Sequence, residues 1–270
     1  MGEDFLDVFF PLLDAAGCGD GFSIAAAVLR AVDDSCDVIN LSLGMIGIHE
    51  PLNEALQYAY ARGLTIIAAA GNDSTANTDL FPFPASQGYC LSVAAVDSNS
   101  VKADFSNYGS LVQLCAPGTQ IYGPFTGDSY AWWDGTSFAA PFVTGLVALV
   151  LSSHDGLLPV QVESILTTSA DGIDYLNPDY AGQLGAGLMA PLAAVGAAAA
   201  AKHGDVNLDG DVTPADLAHL IDYFFNQPPD SELSVSVWAD CSCDGVIDPV
   251  DLSVMLDFFY ATATDGCVDL

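Results

Sequence analysis

The chain has 270 residues, 51% of them hydrophobic, and a formal net charge of −31, with four Lys and Arg against 35 Asp and Glu. That length suits one large domain and one small one, with enough apolar residues for a sizeable core. The charge argues against nucleic acid and anionic membrane as partners and favours cations such as calcium.

In chain order, residues 1–4 are acidic and the apolar run 5–13 is short and broken by Asp7 and Pro11, so no signal-peptide pattern appears. Residues 23–33 read as a helix with Ser23 as its N-cap. Residues 37–44 (DVINLSLG) form a continuous apolar run with β-branched members, as in a strand covered on both faces. Residues 51–62 read as a helix with Pro51 at its first position and Gly63 just past its end. Residues 64–71 (LTIIAAAG) and 91–96 (LSVAAV) are further buried strands. Strand–helix–strand order predicts an α/β layer with a largely parallel sheet. The apolar run 138–151 is too short to span a bilayer and contains Pro141, so a buried core helix is expected rather than a membrane span. Residues 160–168 read as a helix, followed by a Gly/Asp/Pro-rich loop. The alanines at 197–201 are either the last turns of a further helix or a spacer.

Composition then breaks. Residues 203–270 hold 14 Asp and Glu and no Lys or Arg, whereas Arg30, Arg62, Lys102 and Lys202 all precede them. A domain boundary is expected near residue 202, giving domains at 1–201 and 202–261 and a tail at 262–270. Within the second domain, residues 205–226 align with residues 240–261 at an offset of 35. Each half is an acidic loop followed by a helical pattern. Leu217, Leu220, Ile221, Phe224 and Phe225 form one apolar stripe, and Leu252, Met255, Leu256, Phe259 and Tyr260 repeat it. Neither helix can bury its stripe alone, so the halves are expected to pack together. Seven cysteines (Cys18, Cys36, Cys90, Cys115, Cys241, Cys243 and Cys267) leave one without a partner in a secreted chain, or read as free thiols. No pairing follows from their spacing.

The chemical signal lies at Gly135-Thr136-Ser137-Phe138-Ala139-Ala140-Pro141, where a small-residue turn delivers a serine to the start of a long apolar helix. Proline is tolerated in a first turn, and a helix N-terminus favours a developing alkoxide. This segment resembles the nucleophile region of the subtilase family of serine proteases. Val38 to Gly44 resembles the family strand whose Ser-Leu-Gly edge binds substrate backbone, and Ala68-Ala69-Ala70-Gly71-Asn72 the segment ending in the oxyanion-hole asparagine. Phe83-Pro84-Ala85, Val93 to Val96, Phe105 to Gly109, Ala116-Pro117-Gly118 and Leu184 to Gly187 follow in family order. The resemblance covers roughly residues 5–201. It implies an α/β fold of three layers around a parallel sheet and hydrolysis of a polypeptide substrate. Ser137 would be the nucleophile, Asn72 and the Ser137 N–H the oxyanion donors. Ser42, Leu43 and Gly44 on one side and Ala69, Ala70 and Gly71 on the other would hold an extended peptide by strand addition.

The family places an Asp-Thr/Ser-Gly and a His-Gly-Thr motif before the serine, and neither occurs in this sequence. His49, His154, His203 and His219 read as surface or loop residues, not as a general base. Residues 9–21 resemble the family segment just after its histidine, so the domain is expected to be N-terminally truncated. Loss of the histidine alone costs such a site about 10⁶ in kcat, and this chain by itself is expected to be inactive and poorly stable.

The acidic repeat follows the spacing of an EF-hand-like calcium loop, with oxygens at positions 1, 3, 5, 7, 9 and 12 and glycine at 6. The first loop supplies Asp205, Asn207, Asp209, the Asp211 carbonyl, Thr213 through water, and Asp216, with Gly210 at the turn. The second supplies Asp240, Ser242, Asp244, the Val246 carbonyl, Asp248 and Asp251, with Gly245. Hard carboxylate oxygens suit Ca2+, and the neutral Ser242 predicts a weaker second site. Cys241 and Cys243 occupy non-ligating positions. Two loops each followed by a helix resemble a type I dockerin, a small α-helical EF-hand-like calcium domain, over about residues 203–261. The resemblance implies docking to a cohesin-like or cell-surface protein. The recognition pairs Pro214-Ala215 and Pro249-Val250 differ from the hydroxyl-bearing pairs of cellulosomal dockerins and point away from a cellulosome partner.

Two functions are therefore expected in order: a secreted or cell-surface, calcium-tethered serine endopeptidase, and, as the rival, a non-catalytic subtilase scaffold for a calcium-dependent binding module.

Overall fold

The computed structural model describes residues 19–76, 80–125, 127–154, 156–202, 204–205, 212–225, 241 and 249–260. Helix α1 spans Gly21–Asp33, strand β1 Val38–Leu41, helix α2 Glu50–Ala61, β2 Thr65–Ala69, β3 Leu91–Val96 and β4 Leu114–Pro117. A hairpin follows, β5 Ile121–Phe125 and β6 Ser129–Trp133, then α3 Thr136–Ser153, α4 Pro159–Ser169 and α5 Pro191–Ala200. Two further helices, α6 Pro214–Phe225 and α7 Pro249–Tyr260, close the order.

Strands β1 to β4 form one parallel sheet in sequential order. Alternation along each strand sends successive side chains to opposite faces, and β2 shows the result. Ile66, Ala68 and Ala70 pack with Ile24, Val28, Leu52, Leu56 and Ala59 of α1 and α2. Ile67 and Ala69 pack with Val143, Leu146, Val147 and Val150 of α3, and with Val162, Ile165 and Ala194 of α4 and α5. Both faces are covered, giving the expected three layers, and all five β2 residues are buried.

Local chemistry explains the helix boundaries. Asp20, rather than Ser23, caps α1: its carboxylate accepts from the N–H groups of Phe22 and Ser23 at 3.0 Å, and Ser23 Oγ donates to it at 2.6 Å. His49 caps α2, Nδ1 accepting from Leu52 N–H at 3.4 Å, and Pro51 sits in the first turn. The helix gives way at Arg62. The alanines up to Ala200 are helical, the last turns of α5 rather than a spacer.

Two expectations are met in part. Strand β1 is covered only in part: Val38 packs on the α3 side of the sheet and Ile39 and Leu41 on the α1–α2 side, yet Val38 and Ile39 stay half-buried and Asn40 is exposed, and among the described residues only β2 pairs with β1 along its length. Helix α3 runs 18 residues, long and apolar enough by length and composition to cross a membrane. It lies with one face on the sheet, Ala139, Val143, Leu146 and Val150 buried, while Phe142 and Leu149 point outward.

After residue 202, α6 and α7 pack on each other as the repeat predicts. The seam is narrower than the full stripe: Leu217, Leu220, Leu252 and Met255 are buried with Cys241, whereas Ile221 and Leu256 are exposed. A single pair of facing helices covers only part of a wide apolar face. The side chains of Phe224, Phe225, Phe259 and Tyr260 lie outside the described residues. Cys36, Cys90 and Cys115 are thiols, and no pairing is seen among them. Cys18, Cys243 and Cys267 lie outside the described residues.

Candidate active site

Strand β6 ends at Trp133, and Asp134 and Gly135 turn the chain into α3. Gly135 adopts φ 155° and ψ 153° as the N-cap, a conformation that residues with a Cβ rarely enter. Thr136 and Ser137 thereby become the first two helical residues. The N–H groups of a first helical turn have no intrahelical acceptor, so the Ser137 N–H faces the space before the helix as a donor.

Asn72 follows β2 and meets that turn. Its Oδ1 accepts from Thr136 N–H at 2.9 Å and from Thr136 Oγ1 at 3.0 Å, while Thr136 Oγ1 accepts from Gly71 N–H at 3.1 Å. With the oxygen held by two donors, the amide nitrogen Nδ2 is directed away from Thr136. A Cβ built on Gly135 would meet that Nδ2 at 3.7 Å, so the amide lies beside the turn that presents Ser137. Asn72 is exposed and Ser137 half-buried, so both can be reached by a ligand.

Ser42, just beyond β1, faces Ser137 through two bonds. Ser42 Oγ donates to the Ser137 carbonyl at 2.7 Å, and Ser137 Oγ donates to the Ser42 carbonyl at 3.2 Å. The first bond has a cause in the sequence. Pro141 lies inside α3, not in its first turn, and has no N–H to donate to the carbonyl four residues back, which is that of Ser137. The Ser42 hydroxyl supplies the missing donor. Asn40 Nδ2 in turn donates to Ser42 Oγ at 3.0 Å, and Thr144 Oγ1 of α3 donates to Asn40 Oδ1 at 3.0 Å. One hydrogen-bonded chain thus joins the end of β1 to the first three turns of α3.

The two segments expected to bind peptide backbone differ. Ser42 and Leu43 are half-buried and Gly44 is exposed, ahead of an antiparallel bridge from Met45 to Phe83. Ala69 and Ala70 are buried, and the backbone here is committed. Ala70 N–H donates to the Val93 carbonyl, its carbonyl accepts from Asn107 Nδ2, and the Gly71 carbonyl accepts from Asn107 N–H. Ala69, Ala70 and Gly71 can therefore form a packing wall but have little backbone left for strand addition.

The described histidines stand apart from Ser137. His49 caps α2 with its ring edge-on to Phe22 at 4.9 Å. His154 closes α3 at its far end, about 25 Å along the helix at 1.5 Å per residue. His203 and the side chain of His219 lie outside the described residues.

In the acidic repeat, Asp205 is 5% exposed, and Asp216 and Asp251 are wholly buried. Asp216 Oδ2 accepts from Thr213 N–H at 2.7 Å and from Thr213 Oγ1 at 3.2 Å, while Thr213 Oγ1 accepts from Ala215 N–H at 3.2 Å. This is a capping box at the start of α6, so Thr213 works as a helix cap as well as standing at the ninth loop position. Asn207, Asp209, Gly210, Asp211, Asp240, Ser242, Asp244, Gly245, Val246 and Asp248 lie outside the described residues. Among the described residues no three His, Cys, Asp or Glu side chains converge as a metal site. Pro214, Ala215, Pro249 and Val250 are exposed at the starts of α6 and α7.

Sequence reasoning did not identify Thr136, Asn40 or Asn107 as parts of this arrangement. For the Ser42 bond a signal existed, a proline four residues after the serine.

Comparison with known proteins agrees with this architecture. Residues 7–215 match the subtilase family and residues 203–258 the dockerin type I domain. Subtilisin DY of Bacillus licheniformis is 35% identical over 163 residues, 60% of this chain and 60% of that protein. Thermitase of Thermoactinomyces vulgaris is 35% identical over 162 residues, 60% of this chain and 56% of that protein. The chain thus spans about 60% of the length of these relatives. The solved structure of the patellamide maturation protease PatA is 30% identical with a TM-score of 0.62, covering 68% of this chain and 71% of that one. A cold-adapted subtilisin-like serine proteinase is 32% identical with a TM-score of 0.55, covering 59% and 58%. The chain belongs to the subtilase family, with a dockerin type I domain following its subtilase region.

Proposed function

We propose that the chain is the serine-bearing part of a secreted or cell-surface serine endopeptidase whose C-terminal module binds calcium and docks to another protein. Ser137 Oγ attacks the scissile carbonyl, and Asn72 Nδ2 and the Ser137 N–H receive the oxyanion. Ser42, Leu43 and Gly44 offer an extended edge to the polypeptide substrate, and Ala69, Ala70 and Gly71 line the opposite wall. The observation that carries this reading is the grip of Thr136 on Asn72 Oδ1, which leaves the amide N–H groups as donors beside the turn bearing Ser137.

A peptide boronic acid tests it on the 270-residue chain. Ser137 Oγ adds to trigonal boron, its proton leaving to solvent, and the tetrahedral product presents a boron-bound oxygen to Asn72. The expected result is a tetrahedral 11B signal that Ser137→Ala abolishes and Asn72→Ala weakens by about 10²-fold, the scale of one lost oxyanion donor. A signal indifferent to Ser137→Ala would sink the assignment. Hydrolysis by this chain alone is a separate matter. The sequence contains neither His-Gly-Thr nor Asp-Thr/Ser-Gly, and the loss of a base costs about 10⁶ in kcat. The 270-residue chain is therefore expected to leave casein intact.

A second reading, a non-catalytic scaffold for the calcium module, is favoured by one observation: Ser137 Oγ donates to the Ser42 carbonyl, an acceptor that cannot remove a proton. A chain that fails to form the tetrahedral boronate would support it.

For the C-terminal module, Asp205, Asp216 and Asp251 are buried carboxylates at the first and twelfth positions of the loop pattern, hard oxygen donors of the kind calcium takes. Asp205, Asn207, Asp209, Asp211 and Asp216 would hold one calcium ion. Asp240, Ser242, Asp244, Val246, Asp248 and Asp251 would hold a second. The exposed Pro214-Ala215 and Pro249-Val250 pairs suit contact with a cohesin-like or cell-surface partner. The reading keeps domain limits of 1–201 and 202–261 with a tail at 262–270; the end of α5 at Ala200 supports the first boundary.

A further inference from the structure

The loop that carries Asn72 is held by a residue to which no role has been given. Asn107 is wholly buried and bonds to that loop on both sides of Asn72. Before Asn72, Asn107 Nδ2 donates to the Ala70 carbonyl at 2.8 Å, and Asn107 N–H donates to the Gly71 carbonyl at 3.0 Å. After it, Asn107 Oδ1 accepts from Asp73 N–H at 3.0 Å and Thr75 N–H at 3.1 Å. The amide orientation is unambiguous, because one end meets two backbone donors and the other a backbone acceptor.

Asn107 is itself anchored. Ser106, also wholly buried, accepts from Ala95 N–H of β3 through Oγ at 2.9 Å and donates to the Asn107 carbonyl at 3.0 Å. Flanking backbone bonds, Ser74 N–H to the Phe105 carbonyl at 2.8 Å and Tyr108 N–H to the Thr75 carbonyl at 3.1 Å, lay the two segments side by side. Gly71 marks how closely they approach: at φ 99°, a Cβ there would meet Asn107 Nδ2 at 2.5 Å. A serine would be too short to reach both sides of the loop, and an aspartate would turn an acceptor toward the Ala70 carbonyl.

We propose that Asn107 is a positioning residue: by clamping residues 70–75 from the segment that follows β3, it sets where the Asn72 amide points relative to Ser137. It acts through Asn72 and touches no substrate. Its catalytic meaning rests on the reading of Asn72 and Ser137 as oxyanion donor and nucleophile, whereas the clamp itself does not.

The test uses the 270-residue chain with Asn107→Ser and Asn107→Asp, a peptide boronic acid, and the same peptide ending in a carboxamide. The carboxamide offers the same strand contacts but forms no tetrahedral oxyanion with Ser137. Expected are a loss of boronate affinity of about tenfold or more, within the 10²–10³ cost of removing a donor outright, carboxamide affinity held within about twofold, and a shifted Asn72 side-chain amide resonance. Equal weakening of both peptides would mean general damage to the fold and overturn the proposal, as would boronate binding unchanged in both variants. If the unsubstituted chain forms no tetrahedral boronate, the nucleophile reading falls, and the Asn72 resonance alone decides the clamp. A resonance shifted in Asn107→Ser with the melting temperature nearly kept supports it, and an unshifted one overturns it. Should Asn107→Asp not fold, the neutral Asn107→Ser carries the comparison.

Discussion

Single residues buried against their chemical preference report on where this fold is under strain. Glu163 of α4 is half-buried, and burial raises its carboxyl above the ordinary 4.5. A raised carboxyl binds its proton more tightly folded than unfolded, so its contribution to stability is intact below the unfolded value and lost as pH rises through the folded one. Glu163→Gln should therefore raise the urea midpoint at pH 7 and lose that advantage below about pH 4. A variant no more stable than the parent at pH 7 would contradict the assignment. Lys102 shows the opposite solution. Burial lowers its ammonium below the ordinary 10.5, yet it stays inside because Nζ donates to the Ala103 carbonyl at 2.9 Å and lies 4.6 Å from the Tyr180 ring centroid and 5.1 Å from that of Tyr108.

Elements meet at the site through groups their own hydrogen-bond ladders leave over. Helix α3 cannot satisfy the Ser137 carbonyl because Pro141 has no N–H, and the end of β1 satisfies it through Ser42 Oγ. Removing that donor strands a carbonyl at a cost of about 1–3 kcal/mol. Ser42→Ala should lower stability by that amount in the parent chain. In Pro141→Ala, where residue 141 regains an N–H, the same change should cost about 0.5 kcal/mol or less. A double-mutant cycle in urea reads the difference, and equal costs in both backgrounds would rule out the pairing. The same arrangement accounts for the polar end of β1: the side chains of Asn40 and Ser42 are spent on α3.

Across the whole molecule, negative charge is what the fold must contend with. With −31 formal charges the compact state repels itself, most sharply in residues 203–270, which hold 14 Asp and Glu and no Lys or Arg. Calcium is expected to relieve this where Asp205, Asp216 and Asp251 are buried. Chelation should lower the helical circular dichroism of the chain, and calcium should restore it where added monovalent salt restores less. Titrating Asp205→Ala and Asp240→Ala variants separates the two loops, and Asp205→Ala should remove the tighter event, since the second loop has the neutral Ser242. Equal affinities would refute that ranking.

What the sequence by itself determined is what local pattern encodes: the apolar runs of β2 and β3, the helix opening at Thr136-Ser137, the α6–α7 repeat, and Asn72 at a strand exit. These follow from propensity and periodicity, which act between residues a few positions apart. Only the tertiary structure decided that β1 is half-buried, that Asp20 and His49 cap helices, that Ala69 to Gly71 have their backbone committed, and that Asn107 straddles Asn72. The physical reason is distance along the chain. The Ser42–Ser137 bonds join residues 95 apart in sequence, and the Asn107 bonds to Asp73 and Ala70 join residues 34 and 37 apart. An asparagine or serine reads the same locally whether its polar atoms meet water or a distant backbone group, so only the folded chain shows which partner it found.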